Sequence, residues 1–191
     1  MGNVRIDALR EQMKDNNIDV YYLNTSDYHM SEYVPLYFKT IEYFSGFSGS
    51  LATLLVDLES AYIFVDGRYH IQAEKQCLPN DVQVVKLGTA NALEPIEFIK
   101  KNYAGKVIGL DGKRTSINFA SALSDFEIKS IDIYSSLIEN RVPLSTDLIY
   151  ELGVEYTGLS RKKKLDNVKY ILDGKTHIVN NLESISYILN L

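Results

Sequence analysis

Tryptophan is absent from this sequence, cysteine occurs once, and no apolar run approaches the roughly 18 residues that a membrane span needs. Each shortage excludes something. A lone cysteine, Cys77, cannot close an internal disulfide and fits a reducing cytosol. Met1 to Arg10 has no apolar core behind its charges, so no secretory leader is expected. Ile6 stands where a myristoylation motif wants Ser or Thr. Lysine and arginine are outnumbered, and the formal net charge of −5 argues against a broad phosphate-binding face. The run Arg161-Lys162-Lys163-Lys164 is the exception, and it reads as the solvated face of a helix. The expectation is a cytoplasmic protein with neither nucleic acid nor membrane as a partner.

What is present alternates between two periods. Ile6, Leu9 and Met13 share a helix face that stops at Asn16-Asn17, and Val20 to Leu23 reads as a strand. Asn24 to Phe38 lacks periodicity and reads as a long structured loop. The stretch Glu42 to Glu74 organises the rest: a glycine-punctuated turn, Ser45-Gly46-Phe47-Ser48-Gly49-Ser50, then two apolar runs, Leu51 to Leu58 and Ala61 to Val65. Their short polar break, Glu59-Ser60, predicts an antiparallel hairpin. A helix follows from Tyr69 to Cys77, then a strand at Val82 to Leu87 and a helix face of Leu93, Ile96 and Ile99. A strand at Lys106 to Leu110, a helix capped by Ser116 and a strand at Glu127 to Ile133 complete the pattern. Alternating helices and strands give an α/β fold, and the hairpin makes the sheet mixed, flanked by helices.

Residues 1–137 are expected to form one domain, 138–147 a linker, and 148–191 the incomplete start of a second, similar α/β domain. In that last part, Ser160 should cap a helix with Leu165, Val168, Ile171 and Leu172 inward. Asp173-Gly174 should stop it, Thr176 to Val179 should be a strand, and Ser184 to Leu191 a further helix.

Chemistry has few places to sit. His29, His70 and His177 are scattered without metal-ligand spacing, and His177 falls in a strand pattern as a structural residue. No glycine-rich phosphate loop follows the first strand, and Gly46-Phe47-Ser48-Gly49 leads into a strand, unlike a nucleophile turn. Cys77 has no neighbour that would stabilise a thiolate. Two constellations are left: Asp27 to Tyr33 in the loop, and Asp66-Gly67-Arg68-Tyr69 at a strand's end. Polar groups at such an end tend to face a crevice. Arg68 could meet a planar anion with its fork, or pair internally with Asp66 or Glu32; the residues alone leave both open.

At these residues the chain resembles the amino-terminal region of aminopeptidase P, in the creatinase and prolidase family. Asp27, His29, Ser31, Glu32 and Tyr33 match a D-x-H-x-S-E-Y segment, Ser45 to Ser50 match S-G-F-x-G-S, and Asp66 to Ala73 match D-G-R-Y-x-x-Q-A. Tyr156, Gly158, Ser160 and Lys164 resemble the start of the family's second domain, and Leu182 to Leu191 the segment entering N-L-R-G. Leu51-Ala52 replaces the usual Ala-Gly, and Phe64 a common tryptophan. The resemblance implies a creatinase N-terminal-like fold in a metal-dependent Xaa-Pro aminopeptidase, which removes the residue preceding proline from a peptide. It implies a homodimer whose pair of divalent metals, manganese, is held in a carboxy-terminal domain outside this chain. Within these residues it implies no catalytic residue, metal ligand or cofactor. Arg68 is implied as a peptide-binding residue with Glu32 and His29 beside it, in a domain that walls the substrate site. The alternative is a non-catalytic, peptidase-like protein-binding module.

Overall fold

The computed structural model describes residues 2–191. Strands β1 (Val20–Asn24), β2 (Thr53–Asp57), β3 (Ala61–Val65), β4 (Gln83–Lys86), β5 (Val107–Leu110) and β6 (Glu127–Ser130) form one mixed sheet in the order β4-β3-β2-β1-β5-β6. Only β2 runs against its neighbours; the other pairings are parallel. The hairpin at its centre is closed by Asp57, whose carboxylate accepts the backbone N–H of Glu59 and of Ser60. Because β2 alone is reversed, the C-terminal ends of β1, β3 and β5 lie along one edge, beside the entry into β2.

Helices α1 (Val4–Asp15), α2 (Thr40–Ser45), α3 (His70–Cys77), α4 (Pro95–Asn102) and α5 (Ile117–Ala122) accompany the sheet. The strands' period of two sorts their side chains into two cores. Tyr21, Leu23, Leu54, Val56, Ile63 and Val65 pack with Ile6, Leu9 and Met13 of α1. Val20, Tyr22, Leu55, Phe64, Ile108 and Leu110 pack with Ile99 of α4 and with Leu123. With both faces covered, the strands read as continuous apolar runs rather than alternating ones. Each large side chain so buried contributes roughly 1.5–3 kcal/mol. Asn3 caps α1 by accepting the N–H of Arg5 and of Ile6.

Helix α2 leads into the turn expected at Ser45 to Ser50, at residues for which no element was expected. It has only six residues, too few to show a period, and it ends at Gly46, whose φ of +80° is a left-handed cap.

The chain divides into two compact units. One runs to Tyr28 and resumes over Glu32–Pro143; the other takes His29–Ser31 with Leu144–Leu191. The second contains α6 (Val154–Thr157), α7 (Arg161–Leu172) and α8 (Leu182–Leu189). Ser160 caps α7 by accepting the Lys163 N–H, and Asp173 in the left-handed region ends it. Lys164, from the basic run, is buried: its ammonium donates to the Tyr187 carbonyl at 2.7 Å and lies 4.0 Å from that ring's centroid. Two expectations change here. Thr176 to Val179 is irregular, because among the described residues this unit offers no strand to pair with, and His177 is exposed. Ile171 is 77% exposed: Leu165, Val168 and Leu172 make the inward stripe, and Ile171 falls about 90° from its centre.

Candidate functional site

The site is built from two turns on one sheet edge. Ser48 and Ser50, on the way into β2, are held by the helix that follows β3. Gln72 and Gln76 both donate to the Ser48 hydroxyl, at 3.1 and 2.9 Å, and Gln76 also accepts the Ser48 N–H. The hydroxyls of Ser50 and Tyr69 are 2.8 Å apart. Phe47 stands edge-on to Tyr69, with ring centroids 5.4 Å apart. Gly49 passes so near the Phe47 ring that a Cβ there would come within 2.3 Å of it. These contacts give a physical reason for the S-G-F-x-G-S and R-Y-x-x-Q patterns: each supplies the other's hydrogen-bond partners.

Against this turn lies a pocket of about 150 Å³. Its walls include Glu32, Tyr33, Val34, Phe38, Ile41 and Phe47. Lys39 and Glu42 also line it and pair with each other at 3.3 Å. Glu32 is exposed and makes no ion pair among the described residues.

Arg68 lies in the turn between β3 and α3 and projects outward, its side chain 61% exposed. Its fork grips Asp66, Nε to Oδ1 at 3.0 Å and Nη2 to Oδ2 at 2.8 Å, and its backbone N–H donates to the same carboxylate. The internal pairing left open by the sequence is therefore present, and Asp66 is the partner. Those hydrogen bonds hold the Asp66 carboxyl below the ordinary aspartate range. Asp66 in turn raises the pKa of Arg68, with a smaller electrostatic contribution from Glu32. A fork this exposed is weakly held, so an arriving anion can replace Asp66 at little cost. Arg68 also lies 5.2 Å from the Tyr69 ring centroid, which connects it to the pocket wall through Ser50.

His29 belongs to the second unit, where its Nδ1 lies 2.8 Å from the Asn180 carbonyl oxygen. That nitrogen is therefore the donor.

The residue that sequence reasoning missed is Arg114. It is 3% exposed, and all five of its N–H groups donate. The acceptors are the carbonyls of Asn24, Ser26 and Phe38 and the hydroxyls of Thr40 and Tyr134, at 2.7–3.1 Å. The Tyr134 hydroxyl in turn donates to the Asp111 carboxylate at 2.7 Å. Arg114 thus clamps both ends of the segment that carries Glu32. The one available signal was Asp111-Gly112-Lys113-Arg114, an echo of Asp66-Gly67-Arg68 at another strand's end.

Cys77 is fully buried, and burial pushes its thiol up to about 11. Among the described residues no group of three His, Cys, Asp or Glu could hold a metal ion. No described helix is long and apolar enough to cross a membrane.

Residues 5–139 match the sequence family described as the Creatinase/Prolidase N-terminal domain. A protein of Neurospora crassa named probable Xaa-Pro aminopeptidase P is 31% identical over 202 residues, 98% of this chain but 29% of that protein. The X-prolyl aminopeptidase of Caenorhabditis elegans, described as a cytosolic enzyme with a di-nuclear active site, is similar in structure. Its TM-score is 0.82 at 28% identity, over 91% of this chain and 30% of that one. The N-terminal domain of a cytoplasmic peptidase, PepQ of Mycobacterium tuberculosis, shares the fold at 24% identity, with TM-score 0.53 over 72% of this chain and all of that one. The chain spans about a third of the length of the longer relatives it matches.

Proposed function

The chain belongs to the creatinase/prolidase family through its N-terminal domain, and from that premise we propose that it is the front of a metal-dependent Xaa-Pro aminopeptidase. In this reading it walls the substrate site of a cytoplasmic homodimer and takes part in holding a peptide with proline in second position. The supporting observation is the clustering, beside one pocket, of an exposed guanidinium, an unpaired carboxylate and a rigid serine turn. Arg68 exchanges Asp66 for a backbone carbonyl or carboxylate of the peptide, and Glu32 accepts from an N–H or ammonium. His29 is proposed to lie on the same peptide path. The metal pair, manganese in this proposal, activates water and stabilises the charge on the attacked carbonyl when bound; other residues hold it.

The test is kinetic. In the full-length protein Arg68→Ala should lower kcat/KM on Xaa-Pro peptides by about ten- to a hundredfold, with metal content unchanged. Arg68→Lys should restore only part, since a point charge cannot reproduce the fork. Unchanged kcat/KM would remove Arg68 from the substrate path. A folded full-length protein that releases no residue from such peptides in manganese would turn the reading to the protein-binding module.

A further inference from the structure

The pocket beside the serine turn has a size and polarity that the peptide reading does not by itself require. Its volume of about 150 Å³ is half the roughly 300 Å³ at which sites for whole small molecules begin. An engineered cavity of about the same volume holds one benzene molecule. The floor here is apolar, made by Val34, Phe38, Ile41 and Phe47. The polar groups stand at its margin: Glu32, an acceptor, and the Ser48–Ser50 turn fixed by Gln72, Gln76 and Tyr69. Beyond Tyr69 stands Arg68, a donor. An apolar hole between an acceptor and a donor complements one kind of ligand, an apolar side chain attached to a peptide backbone.

We propose that this pocket is a specificity subsite that seats one apolar side chain, up to the size of a phenyl ring, of a peptide bound along the sheet edge. The proposal rests on the peptide reading given above and adds a preference to it. The ring enters against Phe38 and Phe47, while the backbone that carries it meets Glu32 and Arg68. Lys39, paired with Glu42, is neutralised and leaves the acceptor at Glu32 to set the sign of the margin.

The two ideas separate in one experiment on the 191-residue chain, labelled with ¹⁵N and titrated with Gly-Pro-Gly and Gly-Pro-Phe. The phenylalanine peptide should bind about tenfold more tightly, the effect of burying one ring in part, and should shift the amides of Val34, Ser48 and Gly49. Val34→Phe, which fills the pocket, should erase the difference between the peptides. Tyr33 is 76% exposed, so Tyr33→Ala folds, and it should narrow the difference by removing one wall. Equal binding of the two peptides by the unsubstituted chain overturns the subsite while the peptide reading survives. If neither peptide shifts any amide near Arg68, both fall.

Discussion

Two arginines follow two strand ends on the same edge of one sheet, and their situations are opposite. Arg114, after β5, is buried with every donor bonded to a fixed acceptor. Arg68, after β3, stands in water and holds one neighbouring carboxylate. The chemistry of the side chain is the same, so the difference lies in the surroundings. Five acceptors brought together from Asn24, Ser26, Phe38, Thr40 and Tyr134 leave Arg114 no capacity for a ligand. One exposed, exchangeable partner leaves Arg68 nearly all of its capacity. A buried guanidinium with complete partners is structure, and an exposed one with a single partner is available for binding.

The sharpest way to break this comparison is to remove Arg114. Arg114→Met should destabilise the sheet unit by about 3–5 kcal/mol, because five acceptors lose their donor in a buried place. Thermal unfolding followed by circular dichroism should then fall by roughly 10 °C. A midpoint unchanged within about one degree would mean that the clamp is idle. Tyr134→Phe keeps the ring and deletes the hydroxyl between Arg114 and Asp111, so the loss should be smaller, about 1–3 kcal/mol by the same measurement.

The mildest case is Asp66→Asn, which removes the partner of Arg68. It should leave the midpoint within about one degree at neutral pH, as exposed ion pairs do. The pH dependence has a definite sign. The folded Asp66 carboxyl titrates below its unfolded value, so its small contribution is complete above about pH 4 and fades as pH falls through the folded value. An NMR titration of the Asp66 carboxyl that gave an ordinary or raised value would contradict the observed fork.

These contrasts also explain what could be read in advance. The hairpin and α1 were legible because their signals are local: two apolar runs split by Glu59-Ser60, and Ile6, Leu9 and Met13 on one helix face. The serine turn and Asp66 to Tyr69 were legible as a family pattern, although their reason, the pairing of Ser48 with Gln72 and Gln76, needed the structure. Arg114 was not legible, since its partners on β1 and around α2 lie 74–90 residues away. No local period marks such a contact. The strand expected at Thr176 to Val179 failed for the converse reason: local propensity was present, and a neighbour to pair with was not.

The placement of Cys77 has a consequence in time rather than in space. With a pKa of about 11, only about one thiol in ten thousand is ionised at neutral pH, and the folded chain offers it no route to solvent. Alkylating reagents and oxidants must therefore wait until the end of α3 lifts away. The same helix carries Gln72 and Gln76, so each such opening also releases Ser48 from its two donors. The single thiol of this molecule is a clock for the pocket wall, and it runs only while that wall is open.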